Sequence, residues 1–239
     1  MIRIGTAGWT IPARYRHLFA DAPSGLARYA GGFNAAEINS SFYRPHRPQT
    51  YARWAASVPD DFRFAVKVPK AITHERRLTD AADLLAAFVD EIRELGPKLG
   101  PLLVQLPPSF AFETAVADAF FRHLRERWDG SVACEPRHPT WFEGDAELLL
   151  VEHDVARVAA DPARVPAAEL PGGAPRLVYY RLHGSPRMYY SAYEEHFLRQ
   201  LAERLRAGAA VEAWCFFDNT VSGAALGDAL VVKNLLGSG

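Results

Sequence analysis

Residues 132–141 read Val132-Ala133-Cys134-Glu135-Pro136-Arg137-His138-Pro139-Thr140-Trp141. The apolar run Val132 to Cys134 stops abruptly. A carboxylate, a guanidinium, an imidazole and an indole follow at once. A short apolar run bounded in this way reads as a buried strand, and reactive groups crowded at its end read as the rim of a site.

The same grammar recurs along the chain. A strand over 2–5 runs into Thr6-Ala7-Gly8-Trp9, and one over 35–38 carries Glu37 into Asn39-Ser40-Ser41-Phe42-Tyr43. A strand over 64–68 carries Lys67, with Thr73-His74 beyond it; one over 102–106 carries Gln105 and stops at Pro107-Pro108. A strand over 155–159 ends at Asp161-Pro162, one over 177–182 carries Arg181 into His183-Gly184, and one over 211–217 ends at Asp218-Asn219. Helical periodicity fills the intervals, over 25–29, 50–57, 81–95, around 116–124, and over 146–152, 193–207 and 224–236. The helix over 81–95 sets Leu84, Leu85, Phe88, Ile92 and Leu95 on one face. Only the stretch 162–175, rich in Pro, Gly and Ala, breaks the rhythm, so the sixth helix is expected to be short or replaced by a loop.

Strands alternating with amphipathic helices imply parallel strands joined by right-handed crossovers. Eight such units in 239 residues predict an α/β fold of the closed, parallel eight-stranded (β/α)8 TIM-barrel type, as a single domain over 1–239. An open doubly wound sheet would want a glycine-rich phosphate turn after its first strand, and Gly5-Thr6-Ala7-Gly8 is not one.

Composition narrows the function. The chain is 49% hydrophobic and 23% charged, with a net charge of -1. That balance gives no support to a nucleic-acid partner and predicts no membrane partner. The mixed aromatic and basic stretch Phe42-Tyr43-Arg44-Pro45-His46-Arg47-Pro48 reads first as a solvated loop, with a phosphate-bearing polymer as the alternative ligand. Met1 leads straight into a strand-like run, so no secretory leader is read, and a cytoplasmic protein is expected. The cysteines, Cys134 and Cys215, fit a reducing compartment. Alternation turns Cys134 away from Glu135, toward the helical layer.

Taken in order, Gly5-Thr6-Ala7-Gly8-Trp9, residues 37–43, Thr73-His74, Gln105-Leu106-Pro107-Pro108, residues 135–141, Arg181-Leu182-His183-Gly184 and Phe217-Asp218-Asn219 resemble the TIM-barrel family catalogued as domain of unknown function 72. The resemblance runs from the first strand to the last helix. It implies a TIM barrel with a shared pocket at the strand ends, and it brings no assigned reaction. The chain departs from the family pattern at Ala7, where Ser is common, and near Ile11, where a second aromatic is usual.

In a barrel, groups near the C-terminal strand ends converge on one mouth. The candidates for catalysis there are Glu135, Lys67, Asp161, His183 and Glu37. The candidates for substrate binding are Asn39, Tyr43, Gln105, Arg137, His138, Trp141, Arg181, Asp218, Asn219, Trp9 and His74. Alternation puts Glu37 with Asn39, Glu135 with Arg137, and Arg181 with His183 on shared faces. Charges so gathered perturb one another's pKa values, which prepares proton transfer. A buried ion-pair lattice that merely holds the barrel is the structural alternative. Apolar residues would serve that end equally well, because desolvating charge is costly.

Glu135 is the expected general acid or base, or else simply the partner of Arg137. Arg137 and Arg181 are expected to clamp a carboxylate or phosphate. Lys67 either forms a Schiff base, if desolvated, or pairs with Glu37 or Glu135. His138 is expected to cap its loop. The reading that results is an enzyme doing acid/base chemistry on a small polar, sugar- or nucleotide-like substrate. Metal-assisted hydrolysis is the first alternative, with Glu37, Glu135, Asp161, His183 and Asp218 as ligands of a divalent metal. The second is a non-catalytic nucleotide- or glycan-binding module.

Overall fold

The computed structural model describes residues 1–208 and 212–237. Val211, expected to open the last strand, lies outside the described residues. The strands are β1 (Ile2–Thr6), β2 (Ala35–Ile38), β3 (Arg63–Lys67), β4 (Leu99–Gln105), β5 (Val132–Glu135), β6 (Val155–Arg157), β7 (Ala159–Asp161), β8 (Gly172–Gly173), β9 (Leu177–Leu182) and β10 (Glu212–Phe217). The helices are α1 (Gly25–Ala30), α2 (Ser40–Tyr43), α3 (Pro48–Ala56), α4 (Ala82–Ile92), α5 (Thr114–Arg125), α6 (Gly144–Glu152), α7 (Glu195–Ala207) and α8 (Ala224–Gly237). The fold is mixed α/β. One sheet has the order β1-β10-β9-β7 and the other β2-β3-β4-β5-β6-β8. Their pairings are parallel except for β8, which lies antiparallel on β6.

Strand alternation sorts the buried residues into two layers. Ala36, Ile38, Phe64, Val66, Leu102, Val104, Val132 and Cys134 pack in the large cluster with the helical side chains, among them Leu85, Phe88, Phe120 and Leu201. Their neighbours Ala35, Ala65, Leu103, Ala133, Ala156, Leu177, Tyr179, Trp214 and Phe216 form a second cluster made of strand residues and Val158. Cys134 therefore faces the helices, as its position opposite Glu135 requires.

The two sheets meet at two seams. At the first, β1 and β2 share a single parallel bridge, Ala7 with Glu37, and Gly8 N donates to Glu37 O at 2.8 Å. Side chains replace the missing ladder. Asn34 accepts from Ile4 N at 3.0 Å and donates to Ile2 O at 3.1 Å. The Tyr29 hydroxyl accepts from Thr6 N at 2.8 Å and donates to Ala35 O at 3.2 Å. Backbone groups that a ladder would have paired are thus satisfied. The close approach needs a glycine, because a Cβ on Gly5 would lie 2.1 Å from Ala35 O. At the second seam one segment changes sheets: β6 pairs with β5 and β7 pairs with β9. Between them Val158 donates from its amide to Cys134 O at 2.8 Å.

Several boundaries differ from expectation. The helix expected over 81–95 ends at Ile92, because Gly96 at φ 53 and Pro97 turn the chain into a 3-10 segment, Arg93–Lys98. Residues 40–43, expected as loop, form α2. The sixth helix is replaced by a loop carrying a 3-10 turn, Pro166–Glu169, and the short strand β8. Tyr193, expected inside a helix, precedes α7 and instead ties loops together, accepting from Gly184 N at 2.8 Å and donating to Asp161 O at 3.1 Å. Among the described residues no helix is long and apolar enough to cross a membrane.

Gly5→Ala is expected to cost about 2–3 kcal/mol in chemical denaturation, through forced displacement of β1 from β2. Gly144→Ala, where an added Cβ meets nothing within 4 Å, serves as the control. Equal stability of the two variants would contradict the tight seam.

Candidate functional site

The site grows out of the strand-only layer by one step of alternation. Two residues beyond Ala35, Ala65, Leu103, Ala133, Tyr179 and Phe216 stand Glu37, Lys67, Gln105, Glu135, Arg181 and Asp218. Each strand carries apolar residues deep inside and one polar residue at its C-terminal end. Parallel pairing puts those ends on one side, and Gln105 lies directly beside Glu135 in the register of β4 and β5.

Arg181 occupies the centre and is wholly buried. It donates to Glu37 Oε1 at 2.7 Å and Oε2 at 3.1 Å, to Glu135 Oε2 at 2.7 Å and to Asp218 Oδ2 at 3.0 Å. The Tyr179 hydroxyl adds a bond to Glu37 Oε2 at 2.7 Å. Glu135 is equally saturated. Its Oε2 also accepts from Gln105 at 2.7 Å. Its Oε1 accepts from Arg137 at 2.9 and 3.1 Å and contacts His183 Nε2 at 2.9 Å. The other ring nitrogen of His183 meets Asp218 Oδ2 at 3.1 Å. His183 thus bridges the two carboxylates through its two ring nitrogens.

Burial pushes the Glu135 carboxyl upward, but Arg181, Arg137 and His183 outweigh it and hold the group well below the ordinary carboxylate range. Asp218 is lowered against burial in the same way, by Arg181 and His183. These carboxylates stay ionised at neutral pH and act as fixed counter-charges, not as proton carriers.

Lys67 is different. It is 7% exposed, and its Nζ lies 3.9 Å from the centroid of the Phe42 ring. Among the described residues, no hydrogen bond or ion pair engages that nitrogen. Burial, reinforced by repulsion from Arg181 and only partly opposed by Glu135, Glu37 and Asp218, brings its pKa down to about 8. The expected pairing of Lys67 with Glu37 or Glu135 is therefore not made, because arginine and histidine hold those oxygens. His74 packs edge-on against Phe42 at 4.9 Å. Burial, with Lys67 and Arg137 nearby, lowers it to about 4, so it is neutral at pH 7.

Arg137 keeps 14% of its side chain exposed and Asp218 keeps 13%, so both retain contact with solvent. The Tyr189 hydroxyl lies 3.5 Å from both terminal nitrogens of Arg137, and its ring meets His183 edge-on at 5.5 Å. Tyr189 sits at φ 68, a left-handed conformation uncommon for a residue with a side chain. Tyr43 stands exposed against Phe42, with ring centroids 5.0 Å apart.

Other expected site residues lie elsewhere or are committed to other contacts. Arg181 is spent on protein carboxylates and is sealed from solvent, so it cannot also clamp a ligand. Trp141 is fully buried, bonds Phe110 O at 3.0 Å and packs on Phe112. Trp9 packs against Trp54 and Phe64, in the helical layer. Asn219 is buried and donates to Ser191 O at 2.8 Å and Asp228 Oδ2 at 2.7 Å, which ties β10 to α8. His138 caps the 3-10 turn Pro139–Phe142 through Thr140. Asp161 shares the outward face of β7 with Ala159. It lines a cleft of about 330 Å³ beside α7, with Glu169, Gln200 and Arg204. Asn39 has helical backbone angles, which break its alternation with Glu37, and its Oδ1 is buried without a partner.

The residues do not fit a divalent metal. Guanidinium groups stand between the carboxylates, His183 is engaged at both nitrogens, and Asp161 faces the other way. Among the described residues no three acidic, histidine or cysteine groups converge on a common point. Sequence reasoning missed Tyr179 and did not single out Phe42 or Tyr189. Tyr179 had a usable signal, since it lies two residues before Arg181 on the same face. Phe42 and Tyr189 reach the site through loop conformation, which carries no such periodicity.

The UPF0759 protein YecE of Escherichia coli (strain K12) is 32% identical over 175 residues, 70% of this chain and 62% of that protein. The chain thus spans less than two thirds of the length of this curated relative. A DUF72 family protein from Enterococcus faecalis V583 superposes with a TM-score of 0.81 at 22% identity, covering 99% of this chain and 96% of that one. D-psicose 3-epimerase from Clostridium cellulolyticum H10, solved with D-tagatose, superposes with a TM-score of 0.54 at 9% identity, covering 99% and 98%. Matched from residue 3 to residue 239, the chain belongs to the family described as protein of unknown function DUF72.

Proposed function

We propose that the chain is an enzyme that moves protons on a small polar, sugar- or nucleotide-like substrate, held at the strand ends of a closed (β/α)8 barrel over 1–239. The closed ring is supported by the two seams, where β1 meets β2 and β6 hands over to β7. The likeness to the 3-epimerase supports the fold alone.

The observation that carries the chemistry is Lys67, a desolvated amine free of any carboxylate partner in a cluster full of carboxylates. A group titrating near the working pH both takes and returns a proton readily. In this reading Lys67 is the catalytic residue. Arg137 holds a negative or carbonyl oxygen of the substrate, and Phe42, Tyr43 and Tyr189 wall the rings. Glu37, Glu135, Asp218, Arg181 and His183 are positioning residues. They keep Lys67 unpaired by satisfying one another.

Incubation in D2O with a panel of sugars, sugar phosphates and nucleotides should find a compound whose C–H exchanges, followed by NMR. Lys67→Met should slow that exchange by about 10²-fold or more. Undiminished exchange by the variant would reject Lys67 as the proton carrier. Competitive amine labelling across pH should give Lys67 a midpoint near 8; a midpoint at the ordinary lysine value would reject the reading outright.

Stability provides a second check. Between pH 8 and 10.5 the unfolded chain carries a proton on Lys67 that the folded chain has released. Stability therefore rises with pH through that window, and the cost of burying Lys67 is greatest below it. Lys67→Met is expected to exceed the wild type at pH 7 by up to about 3 kcal/mol, with the gap closing toward pH 10. Arg181→Met is expected to lose about 3–5 kcal/mol, because it strands buried carboxylates. The loss should be smaller in acid, where Glu135 and Asp218 can protonate. Urea titrations at several pH values measure both.

A further inference from the structure

Every other lysine of the chain has an oxygen partner. Lys70 pairs with Glu75 at 2.9 Å, Lys98 bonds Pro59 O at 2.5 Å and Asp60 at 3.1 Å, and Lys233 bonds Gly32 O at 2.5 Å. Lys67, one of the more deeply buried, has an aromatic face instead. This inverts the ordinary pattern, in which burial makes pairing more necessary. The oxygens of Glu37, Glu135 and Asp218 are already engaged by Arg181, Arg137 and His183. That lattice of contacts is made without Lys67.

A largely buried amine held by no hydrogen bond or ion pair suits nucleophilic attack on carbon, because the lone pair must be free of both a proton and a counter-ion. We infer that Lys67 condenses with the aldehyde or ketone group of a small oxo compound bearing an anionic group, forming an imine at the mouth of the strands. This rests on the proposed assignment of Lys67 as the reactive residue and extends it from proton transfer to covalent capture. The nitrogen attacks the carbonyl carbon to give a carbinolamine. Both amine hydrogens then leave with the carbonyl oxygen as one molecule of water. The imine takes up one proton from solvent to become an iminium.

The surroundings suit that product. The iminium keeps the positive charge of the lysine and so retains the Phe42 ring face. It also lies in the field of Glu37, Glu135 and Asp218, which already act on the Lys67 charge. The anionic group of the compound is assigned to Arg137, the arginine of the cluster that retains solvent exposure, at 14% against 0% for Arg181. The Tyr189 hydroxyl beside it is a further donor to the same anion. A carboxylate and a phosphate share this chemistry.

The full-length protein is incubated near pH 8 with dihydroxyacetone phosphate, pyruvate or uncharged dihydroxyacetone, then treated with borohydride. Borohydride delivers hydride to the iminium carbon and leaves a stable secondary amine. Peptide mass mapping should find the reduced adduct on Lys67 at least about tenfold faster than on Lys70, Lys98, Lys233 or the N-terminal amine. One of the two anionic ketones should outpace the uncharged one, and whichever leads identifies the anion as phosphate or carboxylate. Mapping on the wild type needs no variant to fold, and Lys67→Met should lose the adduct. Labelling of Lys67 no faster than of Lys70 with all three ketones would overturn the inference. If the labelling midpoint of Lys67 still lay near 8, proton transfer by Lys67 would survive that result. An ordinary midpoint would remove both readings. Fastest capture of uncharged dihydroxyacetone would overturn the assignment of an anion to Arg137.

Discussion

A guanidinium with no exposure to water is held among three carboxylates contributed by three different strands. Arg181 reaches Glu37 on β2, Glu135 on β5 and Asp218 just past β10, and so ties the two sheets together across the strand-only layer. Removing an arginine and its partners from water costs several kcal/mol per ion, and the attraction between them offsets this only when every donor and acceptor is used. Here the bonding is close to complete. Tyr179 and Gln105 take up remaining lone pairs of Glu37 and Glu135. A lattice this saturated is rigid, and it leaves its members little capacity to exchange protons.

That saturation redistributes the roles. Glu135 has the chemistry of a general base but accepts donors on both oxygens and is held ionised. Lys67 has the chemistry of a counter-ion but makes no hydrogen bond or ion pair with a carboxylate. The deep charges define a fixed electrostatic environment, and the amine of Lys67 is the group this environment leaves unpaired. The aromatic ring of Phe42 lets a buried amine persist without a carboxylate, because a ring face attracts the charged form weakly and leaves the neutral form free. Arg137, Tyr189, His74 and Asp218 add further polar groups around this lattice.

The polar groups were legible in sequence to unequal degrees. Glu37, Lys67, Gln105, Glu135, Arg181 and Asp218 were each found as the polar residue at the end of an apolar run, and they do converge. The rule held because alternation is a local property of extended backbone. Asn39, Asp161, Trp141 and Asn219 were drawn in by the same proximity to strand ends. They went elsewhere because the backbone had left the extended conformation, or because the register turned them outward. Asn39 has helical angles, Asp161 lies on the outward face of β7, Trp141 sits on a 3-10 turn that buries it under Phe110 and Phe112, and Asn219 is claimed by Asp228. Loop residues follow no period, so Phe42 and Tyr189 could be listed as aromatic but not given a place.

The sequence by itself determined the parallel α/β alternation, the two-layer sorting of core residues and the identity of the polar ring at the strand ends. Each of these follows from periodicities of 2 and 3.6 residues, which are written into a single stretch of chain. Which charges pair was decided only in three dimensions. Partners such as Glu37 and Arg181 stand 144 residues apart, and their meeting depends on the register of strands that share no local signal. The free amine of Lys67 is the sharpest instance. It is unpaired because two arginines and a histidine from other strands and loops reach the carboxylates first, and pair competition of that kind exists only once strands distant in sequence lie side by side.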